Sequence, residues 1–290
     1  MNGLLMAAVV AITVAVFVFA ETGFVMAATK PEMPLQGLYD YCDLSSPECL
    51  DRLDKMSEAG FEIVLVYASG SSGKDIEEML AYLDRAEQNK MKVIWDFNEL
   101  VGRDDASEVA IRVVQTIKDH PALWGYCVGD ENDASQAEEV RRLSDAIFFA
   151  DSDHPRIFVG NYDSQNLVPF IDCAEVLGLD VYPIGSSEDS LKMVGEVGLV
   201  AEDLRRFNEK NSKRSAMVLQ AFNWEDDRDA PGWQYKRWPT RVEMRRMRDQ
   251  AIRNSDPEII LWFSYYYAAQ DEEHWNNLAW AAFGDQCLEK

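Results

Sequence analysis

The run Leu123-Trp124-Gly125-Tyr126-Cys127-Val128-Gly129 is followed by the polar stretch Asp130-Glu131-Asn132-Asp133-Ala134, and then by Ser135-Gln136-Ala137-Glu138 at the head of a longer periodic stretch. It reads as one buried strand, one loop and the start of one helix. The first part is short, apolar and aromatic; in the last, a Ser side chain and a Glu three residues on match a capping box. The same unit recurs in both directions along the chain. Apolar or β-branched runs predict strands at 35–42, 61–68, 92–98, 123–129, 156–162, 176–182, 216–222 and 258–265, with helix-periodic stretches between them. Ser46-Pro47 predicts the start of the first helix and Gly60 its stop, while Thr240-Arg241-Val242-Glu243 predicts a capping box before the seventh.

Near-continuous apolar strands joined by helices imply a parallel sheet covered on both faces, and eight units allow closure. The expected fold is α/β, a single-domain (β/α)8 barrel over residues 35–290. An open, doubly wound sheet is the rival. It would carry a glycine-rich phosphate loop after its first strand, but the nearest candidate, Ser69-Gly70-Ser71-Ser72-Gly73, follows the second and lacks that spacing, so it reads as a flexible loop.

Residues 1–28 form a leader. Leu4 to Ala20 are almost wholly apolar and end in small residues, which predicts a secretory signal cleaved after Ala20 or near Ala27-Ala28, and hence a secreted protein. The alternative is a retained membrane anchor facing outward, because no Lys or Arg precedes the apolar run. Lys+Arg 28 against Asp+Glu 51 gives a net charge of -23, which repels phosphate backbones and argues against a nucleic-acid partner. That acidity suits a neutral or cationic sugar, and equally a salt-tolerant exported protein. Of the five cysteines, Cys42 and Cys49 flank a short, turn-rich loop and are the expected disulfide. No Cys-x-x-Cys or paired-His spacing occurs, and His120, His154 and His274 are far apart, so neither a metal nor a cofactor is expected.

In such a barrel, ligands bind at the C-terminal ends of the strands. The residues there are Asp40, Tyr67, Asp96 and Asn98, Asp130 and Glu131, Asn161, Asp180 and Tyr182, Gln220 and Trp224, and Tyr266. Any one acid could simply cap a helix; acids and aromatics on so many tips are harder to explain that way. Alternation along the fourth strand puts Gly125, Cys127, Gly129 and Glu131 on one face, predicted to be the lumen, and Trp124, Tyr126, Val128 and Asp130 on the other. Asp130, just past the regular strand, has room to turn in as well. The same count groups Gly178, Asp180 and Tyr182, and also Val218, Gln220 and Phe222. Carboxylates and aromatic faces in one cleft suit an oligo- or polysaccharide, since acids bind hydroxyls and rings stack on sugar C–H surfaces. Trp224 and Trp233, in a polar loop, are the tryptophans placed for ligand; Trp262, Trp275 and Trp280 read as packing residues.

These residues resemble the barrel glycoside hydrolases, especially the clan whose acid/base Glu follows strand four. The resemblance is carried by His120-Pro121-Ala122-Leu123-Trp124-Gly125-Tyr126 running into Gly129-Asp130-Glu131-Asn132, by Leu179-Asp180-Val181-Tyr182-Pro183, by Val218-Leu219-Gln220-Ala221-Phe222 and by Phe263-Ser264-Tyr265-Tyr266. It implies cleavage of an O-glycosidic bond in extracellular carbohydrate, with Glu131 as general acid, raised in pKa by Asp130, Asp96 and Asp180. The chain departs from that clan at strand seven, where Gln220 stands in place of a nucleophilic Glu. Three routes stay open: Glu225 folding back as nucleophile; Asp180 or Asp96 as base in an inverting reaction; or a substrate acetamido group as nucleophile, with Asp130 orienting it, as in the hexosaminidases that the Asp-Glu pair resembles. Two other readings compete: a carbohydrate-binding barrel without turnover, and a metal-dependent barrel hydrolase using Asp96 and Asp180.

Overall fold

Each of the eight apolar runs forms a strand in the computed structural model, which describes residues 33–68, 76–185, 190–224 and 237–284. The strands are β1 Leu35–Cys42, β2 Ile63–Ala68, β3 Lys92–Asp96, β4 Leu123–Asp130, β5 Arg156–Asn161, β6 Val176–Val181, β7 Arg214–Gln220 and β8 Ile259–Phe263. They pair in sequence order, all parallel, and Leu35 of β1 faces Ile259 of β8, which closes the barrel. Side-chain alternation divides the core in two. Inside the barrel lie residues such as Tyr39, Leu65, Ile94, Val159, Val176 and Leu261. Outside, Leu38, Val64, Trp95, Phe158, Leu177 and Trp262 meet the helices.

Those helices are α1 Pro47–Glu58, α2 Ile76–Gln88, α3 Ala106–Ile117, α4 Ala137–Ala150, α5 Ser190–Asn211, α6 Arg241–Ser255, α7 Tyr265–Ala268 and α8 Glu272–Phe283. In α1, Pro47 starts the helix, and Cys49, Leu53 and Met56 make its buried stripe. Gly60 follows at φ 98°, a conformation that costs glycine little. At α6 the capping box is formed: Thr240 Oγ1 accepts from the Glu243 amide at 3.3 Å, and Glu243 Oε2 accepts from the Thr240 amide at 2.8 Å. At α4 the cap differs from expectation. Asp133, not Ser135, is the capping residue; it pairs with Gln136, and a short 3-10 turn, Ala134–Gln136, precedes the helix. The crossing after β5 also differs, being a 3-10 run, Ser164–Cys173, in which Pro169 lacks the amide that a regular α-helix would use. A disulfide joins Cys42 to Cys49 across a Cα separation of 5.7 Å, tying the end of β1 to the first turn of α1.

Strand β4 does not alternate as the sequence implies. Val93 faces Leu123 but Ile94 faces Gly125, and Cys127 faces Ile157 but Gly129 faces Phe158. Trp124 and Val128 are therefore extra residues, and each bulge resets the faces. Trp124 packs against the inner cluster rather than the helices. Asp130 lies opposite Val159, an inner residue, and so faces the lumen. Of the predicted lumen set, Cys127 belongs to the inner cluster, while a side chain at Gly125 would meet Pro155 and one at Gly129 would meet Asn132 and Phe158, a residue of the outer cluster.

The leader, the 69–73 loop, Glu225 and Trp233 lie outside the described residues. Among the described residues no helix is long and apolar enough to cross a membrane.

Candidate active site

The barrel opens at the C-terminal ends of its strands into a cavity of about 690 Å³. One wall is acidic. Asp130 reaches it because the bulge in β4 turns it inward; Glu131 reaches it because its backbone, at φ 50°, leaves the strand through the left-handed region. Asp180 arrives from β6 by regular alternation, on the same side as Val176 and Tyr182. The three acids predicted to be catalytic that fall within the described residues thus line one cavity.

Their environments differ. The Tyr67 hydroxyl donates to Asp130 Oδ2, and the Asp130 amide donates to Asn98 Oδ1 at 3.3 Å and Asn132 Oδ1 at 3.1 Å. Burial raises the Asp130 pKa to about 7; the Tyr67 hydrogen bond opposes that rise and the charge of Glu131 adds to it. Asp180 is buried beside the Glu131 carboxyl, and its Oδ1 has no hydrogen-bond partner among the described residues. Burial first, then the neighbouring Glu131 carboxyl and its charge, hold the Asp180 pKa far above the usual carboxylate range, so Asp180 keeps its proton. Glu131 is the solvent-exposed member of the pair.

The remaining walls are aromatic. The Tyr39 ring lies 5.4 Å from both Tyr67, to which it is tilted, and Phe263, which it meets edge-on, and Tyr41 lies 6.1 Å from Tyr67 at the rim. Opposite them, Tyr182 and Phe222 meet at 5.1 Å, and Phe222 and Trp224 at 4.9 Å. The Tyr39 hydroxyl is buried, lines the cavity and has no hydrogen-bond partner among the described residues, so it is a donor or acceptor held ready for a ligand. Burial also raises the Tyr39, Tyr67 and Tyr182 hydroxyl pKa values, keeping all three protonated as donors.

Of the substrate-contact residues expected from sequence, Tyr67, Asn98, Tyr182 and Trp224 line this cavity. Asn161 lines a neighbouring one. Four others are placed differently. Asp40 faces outward, where Arg52 Nη1 donates to it at 2.8 Å and burial raises its pKa to about 6; the inward tips of β1 are Tyr39 and Tyr41. Asp96 is fully enclosed beside Cys127 and Asp130, with its pKa raised well above the ordinary range by burial, and does not line the cavity. Gln220 is buried with its whole amide engaged: Oε1 accepts from the Ile184 amide at 2.7 Å, and Nε2 donates to the Ile184 and Phe222 carbonyls at 3.0 and 3.1 Å. Tyr266 projects outward from α7, and Tyr267 lines the cavity instead. Phe222, grouped with Gln220 by alternation, and Ser264, in the strand-eight motif, do line the cavity, whereas sequence reasoning missed Tyr39, Tyr41 and Phe263. Extending the two-residue alternation of β1 and β8 to their tips would have found Tyr39 and Phe263. One group of metal-ligating types, Asp84, Glu87 and His120, converges among the described residues, but it lies on the outer surface at α2 and far from the cavity lining.

No family model matches the chain, and no curated protein matches it. Solved structures do. A candidate alpha-L-fucosidase from Bacteroides thetaiotaomicron VPI-5482 is 12% identical with a TM-score of 0.63, and the match covers 94% of this chain and 99% of that one. A GH5_18 protein from Streptomyces cattleya in complex with Manb1-4GlcNAc is 14% identical with a TM-score of 0.59, covering 80% and 71%. A beta-galactosidase from Rahnella sp. R3 is 11% identical with a TM-score of 0.66; the match covers 86% of this chain and 55% of that longer one. What the chain shares with these solved glycoside hydrolases is therefore a fold, the closed barrel of eight parallel strands.

Proposed function

We propose that this protein hydrolyses O-glycosidic bonds, with Glu131 as the general acid and Asp180 as the buried acid beside it. The observation that carries this reading is the convergence of Glu131, Asp180 and Asp130 on the lining of one aromatic cavity. A general acid must reach the cleft and hold a proton near its operating pH. Glu131 supplies the reach, and Asp180, held protonated by burial beside it, keeps a proton at that wall.

The same pairing bears on the route. Inverting glycosidases keep their carboxyls ~6.5–9.5 Å apart so that water fits between them. Asp180 is close enough to Glu131 for each carboxyl to act on the other, which disfavours such a gap between them, and Gln220 is committed to backbone partners. Both features support an attacking group supplied by the substrate, namely a 2-acetamido carbonyl, with Asp130 orienting the amide. The Cys42–Cys49 disulfide and the apolar run from Leu4 to Ala20 support an extracellular site of action, since disulfides persist in oxidising compartments.

A panel of oligosaccharides and 4-nitrophenyl glycosides, with and without a 2-acetamido group, tests both levels, the oligosaccharides reporting on the general acid because their alkoxide leaving group needs the proton. Glu131→Gln is expected to lower kcat on natural leaving groups by about 10²–10⁴-fold, the usual worth of general acid catalysis. Full activity in that variant removes Glu131 from its role. Equal turnover of 2-hydroxy and 2-acetamido glycosides removes the substrate-assisted route while leaving a hydrolase. The locked Gln220 also favours a second reading, a sugar-binding barrel without chemistry; oligosaccharide binding with no release of reducing ends would select it.

A further inference from the structure

A second, smaller cavity of about 160 Å³ lies beside the first, and Glu131 lines both. Its walls come from the turn after β4 and the start of the 3-10 run after β5, and they include the amide side chains of Asn132, Asn161, Gln165 and Asn166. The two cavities offer opposite chemistry. Rings of tyrosine, phenylalanine and tryptophan dominate the large one, while no aromatic residue lines the small one. Amide side chains carry donors and acceptors together, which matches the hydroxyls of a sugar ring better than an apolar or aryl group. At about 30 Å³ per water, the small cavity holds the equivalent of roughly five waters, room for one ring and not for a chain.

The amides are also held in place. Asn166 Nδ2 donates to the Asn161 carbonyl at 2.9 Å and to Asn161 Oδ1 at 2.7 Å, and the backbone N–H of Gln165 donates to Asp163 Oδ1 at 2.9 Å, which fixes the chain at that point. Direction follows from the acids. A general acid stands beside the oxygen being cleaved, and the carbon undergoing substitution must lie on the side of the other reacting groups. Asp130 and Asp180 line the large cavity and not the small one.

We infer that the amide-lined cavity is the leaving-group site, taking one hydrophilic sugar ring by hydrogen bonding, while the aromatic cavity holds the part of the substrate that carries the reacting carbon. The inference rests on the hydrolase reading above and narrows its substrate to an oligosaccharide whose departing residue is a single sugar recognised without stacking. Glu131 and Asp133 make this site acidic, and no Lys, Arg or His among the described residues lines it, so a uronic acid is disfavoured as the departing residue.

The test compares a disaccharide with the 4-nitrophenyl glycoside of the same sugar, in the full-length wild type and in Gln165→Ala. Gln165 is exposed, so its truncation leaves the core untouched. The expected result is a fall of at least ten-fold in kcat/KM for the disaccharide, mainly through KM, and a much smaller fall for the aryl glycoside. An unchanged ratio of the two substrates overturns the assignment, as does equal loss on both. A wild type that hydrolyses neither substrate sinks the hydrolase reading separately. Calorimetric titration with the disaccharide then decides the cavity, and equal affinity in wild type and Gln165→Ala overturns it.

Discussion

The pKa of Asp130, raised to about 7 by burial, makes this residue a reporter on the cavity. A carboxyl whose pKa is higher in the folded than in the unfolded chain stabilises the fold at low pH, and that contribution is lost as pH rises through the folded value. For Asp130 the window runs from about 4 to about 7, and for Asp40, raised to about 6, it closes earlier. Differential scanning calorimetry between pH 5 and 8 should show the wild type losing Tm faster than Asp130→Asn between pH 5 and about 7, with the two curves running parallel above that; curves parallel throughout would show that the group titrates normally. That Asp130 shares the cavity with Glu131 was only half legible in the sequence. Alternation along β4 placed it on the outer face, and two bulges, at Trp124 and Val128, moved it inward. Bulges leave weak marks in a sequence because the extra residue obeys the same apolar pattern as its neighbours. Asp180 and Tyr182, on a strand without bulges, were placed correctly by counting in twos.

Among elements, the start of α4 offers a clean comparison. Ser135 and Asp133 both have capping side chains, and the structure uses Asp133, with Gln136 closing the box. Asp133→Ala should therefore cost about 1 kcal/mol of unfolding free energy in urea titration, while Ser135→Ala stays within about 0.5 kcal/mol. The reverse order would restore the cap that the sequence first pointed to. Two overlapping box patterns, Asp133 to Gln136 and Ser135 to Glu138, cannot be separated by residue type alone; the choice follows from where β4 releases the chain. At α6 a single pattern was present, and Thr240 and Glu243 form the box as read.

For the molecule as a whole, eight apolar runs at regular spacing sufficed to give the closed barrel, because parallel strands buried on both faces have few other ways to satisfy their edges. The strand tips were harder to place, since there the side chains leave the ladder and local turns decide their direction. The staple at the end of β1 is expected to matter for the entire fold: replacing Cys42 and Cys49 together by Ser should lower stability by about 2 kcal/mol, the chain-entropy value for so short a loop, as read from urea midpoints with and without dithiothreitol. Gln220 carries a consequence for anyone redesigning this barrel toward double displacement. Swapping it for glutamate would aim a carboxylate at the carbonyl oxygens of Ile184 and Phe222, acceptor against acceptor, and would weaken the seam between β7 and the 182–185 turn before any new chemistry appeared. Reprogramming the reaction therefore begins with that turn, which must first be rebuilt to release the side chain into the cleft.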